Sequence, residues 1–371
     1  MEQLKFYAPC LFGLEGILTN EMKHQGLQNV AAQNGRVMGE GEAEDVARLN
    51  LTLRTAERIC LVVGEFEARS FEELFDGVRR LRWDRWIGRA DAFPVTGFSM
   101  RSVLHSVPDC QAIIKKAIVN RLGEHYGIRW FEETGARHVV RFALLDDHVT
   151  VMLDTSGEGL HKRGYRPQSN AAPIRETLAA GILDISRYRR AERFCDPMCG
   201  SGTFAIEAAL FATNTAPGLF RSFAAEDWAQ LPPGIFARAR EEAKSRISQA
   251  EFEILASDLD PAAVEIARQN IRRAGMEGRI RVRVADVKDL SLPEGKRNVI
   301  VCNPPYGERL SDREAVRKQT ALLGKVFSAQ PDCRVYVISS NEDFEKEYGR
   351  PADKKRKLYN GMIRACLYQY R

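Results

Sequence analysis

Between Glu192 and Leu210 the chain reads "ERFCDPMCGSGTFAIEAAL". A short apolar run ends at Asp196, two glycines follow at Gly200 and Gly202, and an apolar helical pattern opens at Thr203. Glycine allows positive φ and a close approach of ligand to backbone, and the small Ala205 lets the helix pack tightly on the preceding strand. The G-x-G-x-x-A spacing reads as a strand-to-helix turn of an α/β sheet. Taken alone it suits a dinucleotide, a nucleotide-derived cofactor or simply a tight turn.

Working downstream, short strands alternate with longer helical patterns from Ala191 onward, which is the signature of a parallel α/β sheet. "FEILASD" reads as strand, "PAAVEIARQNIRRAG" as a helix opened by Pro261, and "RIRVRVAD", "NVIVCN" and "CRVYVISS" as further strands. Asp258 and Asp260 end the second strand, where a carboxylate can accept from both hydroxyls of a ribose; Asp260, before Pro261, also suits a helix cap. Asp286 ends the third and can accept from an exocyclic adenine amine. The fourth ends in Asn303-Pro304-Pro305-Tyr306. Two prolines cannot donate to a ladder, so the chain leaves the sheet as a stiff turn that presents the Asn303 amide and the Tyr306 ring. All four positions fall at the carboxyl ends of parallel strands, where open α/β sheets bind ligands. An insertion at roughly 214–249, with Pro217, Pro232 and Pro233, reads as added helices.

The composition excludes several classes. With 371 residues and 44% hydrophobic content the chain can build two or three conventional cores. The first residues lack the basic and apolar regions of a secretory signal, and no run approaches a membrane span. Eight cysteines are scattered with no CxxC pair, which points to reduced, cytosolic thiols and no metal site. The net charge of +5, from 55 Lys+Arg against 50 Asp+Glu, is only mildly basic. Two local runs say more: "LHKRGYR" (Leu160 to Arg166) and "DKKRKLYN" (Asp353 to Asn360) interleave cations with a tyrosine able to stack on a base. Solvated surface charge explains either run equally well.

Upstream of Tyr165 the texture changes to shorter α+β units. "LKFYAPC" and "NGRVMGEG" read as strands around the helix "GLEGILTNEMKHQG", and "AERICLVVGEFEA" as a strand near a boundary at about Phe66. A second unit follows, with helices "FEELFDGVRRLRW" and "DCQAIIKKAIVNRLGEHYG", strand "AFPVTGFSMRS", and a hairpin turning at Asp146-Asp147.

"DPMCGSGT", "SDLDP", "VADVKDL" and "CNPPYG", in that order, resemble class I S-adenosylmethionine-dependent methyltransferases acting on an exocyclic amine. "NLTLRTAER", "SVPDCQAIIKKAI", "LHKRGYR" and "APIRETLAAGIL" extend the resemblance over nearly the whole chain, to bacterial THUMP-containing RNA guanine-N2 methyltransferases. The resemblance implies a Rossmann-like α/β methyltransferase domain at 191–371, preceded by a ferredoxin-like α+β domain at 1–65, a THUMP RNA-binding domain at 66–156 and a linker with lead-in helix at 157–190. It implies S-adenosylmethionine held by Asp196, Gly200, Gly202, Thr203, Asp258 and Asp286, and Asn303, Pro304, Pro305 and Tyr306 as the catalytic group. Arg101, Lys115, Lys116, Arg121, Lys162, Arg163 and Arg166 are the expected RNA contacts. A cytoplasmic monomer acting on large-subunit ribosomal RNA, with no membrane and no metal, completes the expectation. The alternatives are a transfer-RNA guanine-N2 enzyme and a non-catalytic ribosome-assembly factor. The Asn-Pro-Pro-Tyr motif also serves adenine-N6 and glutamine-N5 enzymes, and the RNA-binding half argues against glutamine. A nicotinamide dehydrogenase would suit the glycine loop but not Asn-Pro-Pro-Tyr.

Overall fold

The structure, a computed structural model, describes residues 3–167, 174–305, 313–361 and 363–371. Its backbone contacts divide it into two compact units. The first comprises Met1–Pro9, Thr19–Leu160 and Ser222–Glu241; the second comprises Cys10–Leu18, His161–Arg221 and Glu242–Arg371.

The first unit is built on one sheet of β1 (Leu4–Pro9), β2 (Gln28–Gln33), β3 (Arg36–Gly41), β4 (Cys60–Glu67), β5 (Val95–Met100), β6 (Val140–Leu145) and β7 (His148–Asp154), in the order β2-β3-β1-β4-β7-β6-β5. Helices α1 (Glu15–His24), α2 (Ala43–Thr52), α3 (Phe71–Arg79) and α4 (Val107–Tyr126) belong to this part of the sequence. Strand β4 is the seam: it pairs with β1 at Phe6↔Leu61 and Tyr7↔Cys60, and with β7 from Cys60↔Asp154 to Glu67↔His148. The boundary expected near Phe66 therefore falls inside a strand of a continuous sheet. The β6–β7 hairpin turns at Asp146-Asp147 as expected, with φ of 50° and 65°, the left-handed pair that a two-residue hairpin turn requires.

The stretch Ser222–Glu241 packs with this first unit, so the expected continuous domain over 191–371 is interrupted. The physical reason is the buried Trp228. Its ring stacks on His138 at 4.4 Å, its Nε1 donates to the Arg137 carbonyl at 3.2 Å, and Ala225 N donates to Thr155 O at 3.1 Å. Burial pushes the His138 imidazole below its ordinary value, with Asp91, 3.1 Å away, pulling the other way.

The second unit holds β8 (Arg193–Asp196), β9 (Glu253–Asp258), β10 (Arg281–Val284), β11 (Asn298–Cys302), β12 (Cys333–Ser339), β13 (Lys354–Asn360) and β14 (Ile363–Tyr370), ordered β10-β9-β8-β11-β12-β14-β13. The first five are parallel, and β14 lies antiparallel between β12 and β13. The helices of this stretch are α5 (Glu176–Ser186), α6 (Thr203–Ala212), α7 (Ile235–Ser245), whose residues up to Glu241 belong to the first unit, α8 (Pro261–Arg273), α9 (Arg313–Ser328) and α10 (Phe344–Tyr348). Strand β11 is buried along its whole length, which explains its unbroken apolar run: Val299 and Val301 join one core with Phe194 and Phe204, while Ile300 and Cys302 join another with Leu323 and Phe327. The β13–β14 hairpin was not expected from sequence. "DKKRKLYN" reads equally as solvated surface charge and as cations beside a tyrosine able to stack on a base, and its Lys354–Asn360 is the edge strand of the sheet, where lysines discourage pairing with other chains.

Candidate active site

Strand order fixes where the chemistry can sit. From β8 the chain steps outward through β9 to β10, then returns to place β11 on the other side of β8. That reversal opens a crevice at the carboxyl ends of β8 and β11, the switch point at which doubly wound sheets bind ligands. The register runs Asn298↔Arg193 to Ile300↔Cys195, so Asp196 and the Asn303-Pro304-Pro305 turn leave adjacent strands at nearly the same level.

The glycine loop is held from both sides. Gly200 and Gly202 have φ of 51° and 84°, the left-handed region, and Gly202 caps α6. A Cβ on Gly202 would lie 3.2 Å from that of Ala267 on α8, so its small size also sets a helix contact. Asp258 organises the loop: Oδ2 accepts from Gly200 N at 2.8 Å and Oδ1 from Asp260 N at 3.1 Å. Each carboxylate oxygen keeps acceptor capacity beyond its one amide, as a ribose-binding carboxylate needs. Asp260 accepts from Ala262 N at 2.8 Å and is a helix cap, one of the two roles open to it in the sequence. Asp196 is buried, with Met198 N at 3.3 Å from its Oδ1. Desolvation raises its carboxyl well above the carboxylate range and nearby Asp258 adds to the shift, with the Met198 amide opposing it. A buried acid with so little compensation is suited to an ammonium group.

Other expected site residues are already engaged. Asp286 accepts from Lys288 N at 3.0 Å, capping a short 3-10 turn, and pairs with Lys288 Nζ at 3.1 Å. Thr203 is buried, and its Oγ1 accepts from Arg166 at 2.8 Å. Asn303 is half-buried, Pro304 buried and Pro305 exposed; Tyr306 lies outside the described residues. Burial pushes the thiols of Cys195, Cys199 and Cys302 far up, so these neighbours serve as small apolar groups.

Two expected RNA contacts are corrected. Arg163 is only 3% exposed and its Nε lies 3.4 Å from Glu207, which also accepts from the Tyr165 hydroxyl at 3.0 Å. Arg166 binds Glu176 at 2.9 Å and the Ile174 carbonyl at 2.9 Å as well as Thr203. Each is claimed by a buried acid, Arg163 by Glu207 of the otherwise apolar α6 and Arg166 by Glu176 of α5, because a buried glutamate needs a compensating cation. The lone Glu207 in "TFAIEAALFA" is the one sign in the sequence that a cation is buried against this helix. Lys162 is exposed. In the first unit Arg101 forks onto Asp146 with two 2.7 Å bonds, Lys115 pairs with Glu133 and lies over the Phe93 ring, and Arg121 lies 3.6 Å from Asp84. Lys116 is exposed with no carboxylate partner among the described residues.

Comparison with known proteins fits this geometry. The model of the RMKL-like methyltransferase domain matches residues 163–369. The chain belongs to this methyltransferase family. The family's RlmL ferredoxin-like domain matches residues 5–60 and the THUMP domain residues 68–154. The chain is 43% identical over its whole length to "Putative RNA methyltransferase YpsC" of Bacillus subtilis, covering 96% of that protein. It is 32% identical to the ribosomal RNA large subunit methyltransferase K/L of Cellvibrio japonicus over 99% of this chain, and spans about half (51%) of that longer relative. The crystal structure of "SMU.472, a putative methyltransferase complexed with SAH" matches with a TM-score of 0.94 and 39% identity, covering 100% of this chain and 98% of that one. As a member of the RMKL-like family the chain is a methyltransferase whose cofactor is S-adenosylmethionine.

Proposed function

We propose that the chain methylates the exocyclic N2 of a guanine in RNA, with large-subunit ribosomal RNA as the substrate, in the cytoplasm. The observation that carries this reading is the Asn303-Pro304-Pro305 turn at the switch point, level with the glycine loop on the adjacent strand. The 32% identity to a large-subunit K/L enzyme and the match of a THUMP domain support RNA as the polymer.

When bound, S-adenosylmethionine supplies an electrophilic methyl on a sulfonium that is already a good leaving group. Asp258 would hold its ribose, Asp286 its adenine amine, and Asp196 its ammonium. An exocyclic amine on a purine is planar because its lone pair is delocalised, so it needs reorientation more than deprotonation. The Asn303 side-chain oxygen and the Pro304 carbonyl can accept from that amine and favour the pyramidal geometry that aims the lone pair. The two prolines deny this turn the freedom to retreat. Holding nitrogen, methyl and sulfur in line is worth up to roughly 7–11 kcal/mol in favourable cases. Tyr306 would stack on the target base, which must lie in a loop or be flipped out to enter.

Deleting the gene and comparing modified nucleosides in purified ribosomal and transfer RNA by mass spectrometry tests the reading. Loss of one N2-methylguanosine from large-subunit RNA is expected. Loss from transfer RNA moves the substrate, loss of N6-methyladenosine moves the base, and unchanged nucleosides in both pools overturn the proposal.

A further inference from the structure

The run "DKKRKLYN" forms edge strand β13, and its hairpin with β14 ends on the same side as the candidate site. Strand β12 is parallel to β11, and Ser339 at its carboxyl end pairs with Cys366 of β14, so the Asn360↔Ile363 end of the β13–β14 ladder lies at the carboxyl end of the parallel strands. Three strand spacings separate β13 from β11, about 14 Å.

At that end Tyr359 pairs across the ladder with Arg364, and Lys357, two residues back on the same face, is Arg364's diagonal neighbour. Lys357 and Arg364 are exposed and make no ion pair among the described residues, whereas Lys355 further along is paired with Glu345 at 2.6 Å. Two like charges side by side without a carboxylate favour an anionic partner. Phe12, 52% exposed, packs edge-on to the Tyr359 ring at 5.8 Å. The segment bearing Phe12 is fixed rather than loose: Arg356 donates to the Gly13 carbonyl at 2.6 Å, and a Cβ on Gly13 would lie only 2.7 Å from the Lys357 carbonyl. A rigid exposed ring packed on a half-buried tyrosine, beside two cations with no carboxylate, is a combination that suits single-stranded nucleic acid, through base stacking and phosphate contact together.

We propose that Phe12, Lys357, Tyr359 and Arg364 form a docking platform for the single-stranded RNA flanking the methylated nucleotide. The inference rests on the reading of the chain as an RNA methyltransferase and adds to it a specific contact surface outside the THUMP domain.

The test uses the full chain and a short fluorescein-labelled single-stranded RNA of mixed sequence, with binding followed by anisotropy over a salt series. Lys357→Glu with Arg364→Glu should weaken binding and flatten the slope of log affinity against log salt by about 1.4, two charges at roughly 0.7 each. Tyr359→Ala should lose about tenfold and Tyr359→Phe almost nothing, because the ring rather than the hydroxyl stacks. S-adenosylmethionine affinity by calorimetry should stay at the wild-type value in all three, which shows that they fold. Wild-type affinity and slope in the charge variant overturn the platform. So does sedimentation showing that the wild type self-associates and the charge variant does not, since the face would then join two copies. If the charge variant loses RNA binding while the wild type methylates no RNA, the platform stands and the proposed activity falls; if the wild type methylates RNA and the charge variant binds it unchanged, only the platform falls.

Discussion

The two sheets have seven strands each and differ in what their topology does. In the second unit five parallel strands end at one edge, and the reversal between β10 and β11 puts a crevice there, so Asp196, Asp258 and Asn303 converge whatever fills the rest of the helices. In the first unit the strands are mostly antiparallel, with β5 and β6 the parallel exception, and the described residues form no such edge. A site in the parallel sheet is set by backbone order; a site on the antiparallel sheet must be set by side chains, one at a time. Changes at the switch point should therefore act on chemistry and cofactor, while changes on the first unit should act through charge on RNA affinity alone.

The largest effect is expected at Asn303. Asn303→Ala keeps Pro304 and Pro305 but removes the side-chain acceptor, so the single-turnover methylation rate of transcribed RNA, with cofactor and RNA saturating, should fall about 10²–10³-fold, the usual cost of one preorganised polar contact. Affinities should change little, because the contact is made chiefly as the nitrogen pyramidalises. A wild-type rate would make the turn structural only. Next comes Asp258→Ala. It removes the ribose acceptor and the charge-assisted bond to Gly200 N, worth roughly 1.5–3 kcal/mol, so S-adenosylmethionine affinity by calorimetry should drop about 10–150-fold. Retained affinity would put the cofactor elsewhere.

Legibility in the sequence followed the same division. The parallel sheet announced itself through buried runs ended by Asp, Gly or Pro, and β8, β9 and β11 appear where those runs lie. The β13–β14 hairpin was hidden because an edge strand is charged for reasons unrelated to its hydrogen bonding. The burial of Arg163 and Arg166 is not legible in the sequence, which shows that a cation is present but not whether an acid such as Glu207 or Glu176 has already claimed it. The strap Ser222–Glu241 could not be assigned to its unit, since Trp228 finds His138 only after the chain has folded.

A smaller effect concerns protons. Burial raises the folded Asp196 carboxyl, so its protonation stabilises the free protein fully below about 3.9, the unfolded carboxyl value, and this contribution is lost as pH rises through the raised folded value. An ammonium brought against it favours the ionised form, so binding should release a fraction of a proton and tighten as pH rises through the same window. Calorimetry in buffers of different ionisation heat reads that release directly. Asp196→Asn should abolish it, and an unchanged release in that variant would assign the proton to another group.

The smallest effect separates a free cation from a claimed one on the first unit. Lys116 is exposed without a carboxylate partner among the described residues, so Lys116→Ala should flatten the salt slope for RNA by about 0.7–0.9, one phosphate neutralised, and weaken binding a few-fold near physiological salt. Arg101 and Asp146 form an exposed bidentate pair that presents no net charge. Replacing both, Arg101→Ala with Asp146→Asn, removes one charge of each sign, and asparagine tolerates the left-handed φ of 50° at position 146, so the hairpin should persist. The salt slope of this double variant should match the wild type, and cofactor affinity should be unchanged in both. If the double variant loses as much slope as Lys116→Ala, then Arg101 reaches phosphate despite its partner, and pairing within the free protein does not decide which cations of the antiparallel unit meet RNA.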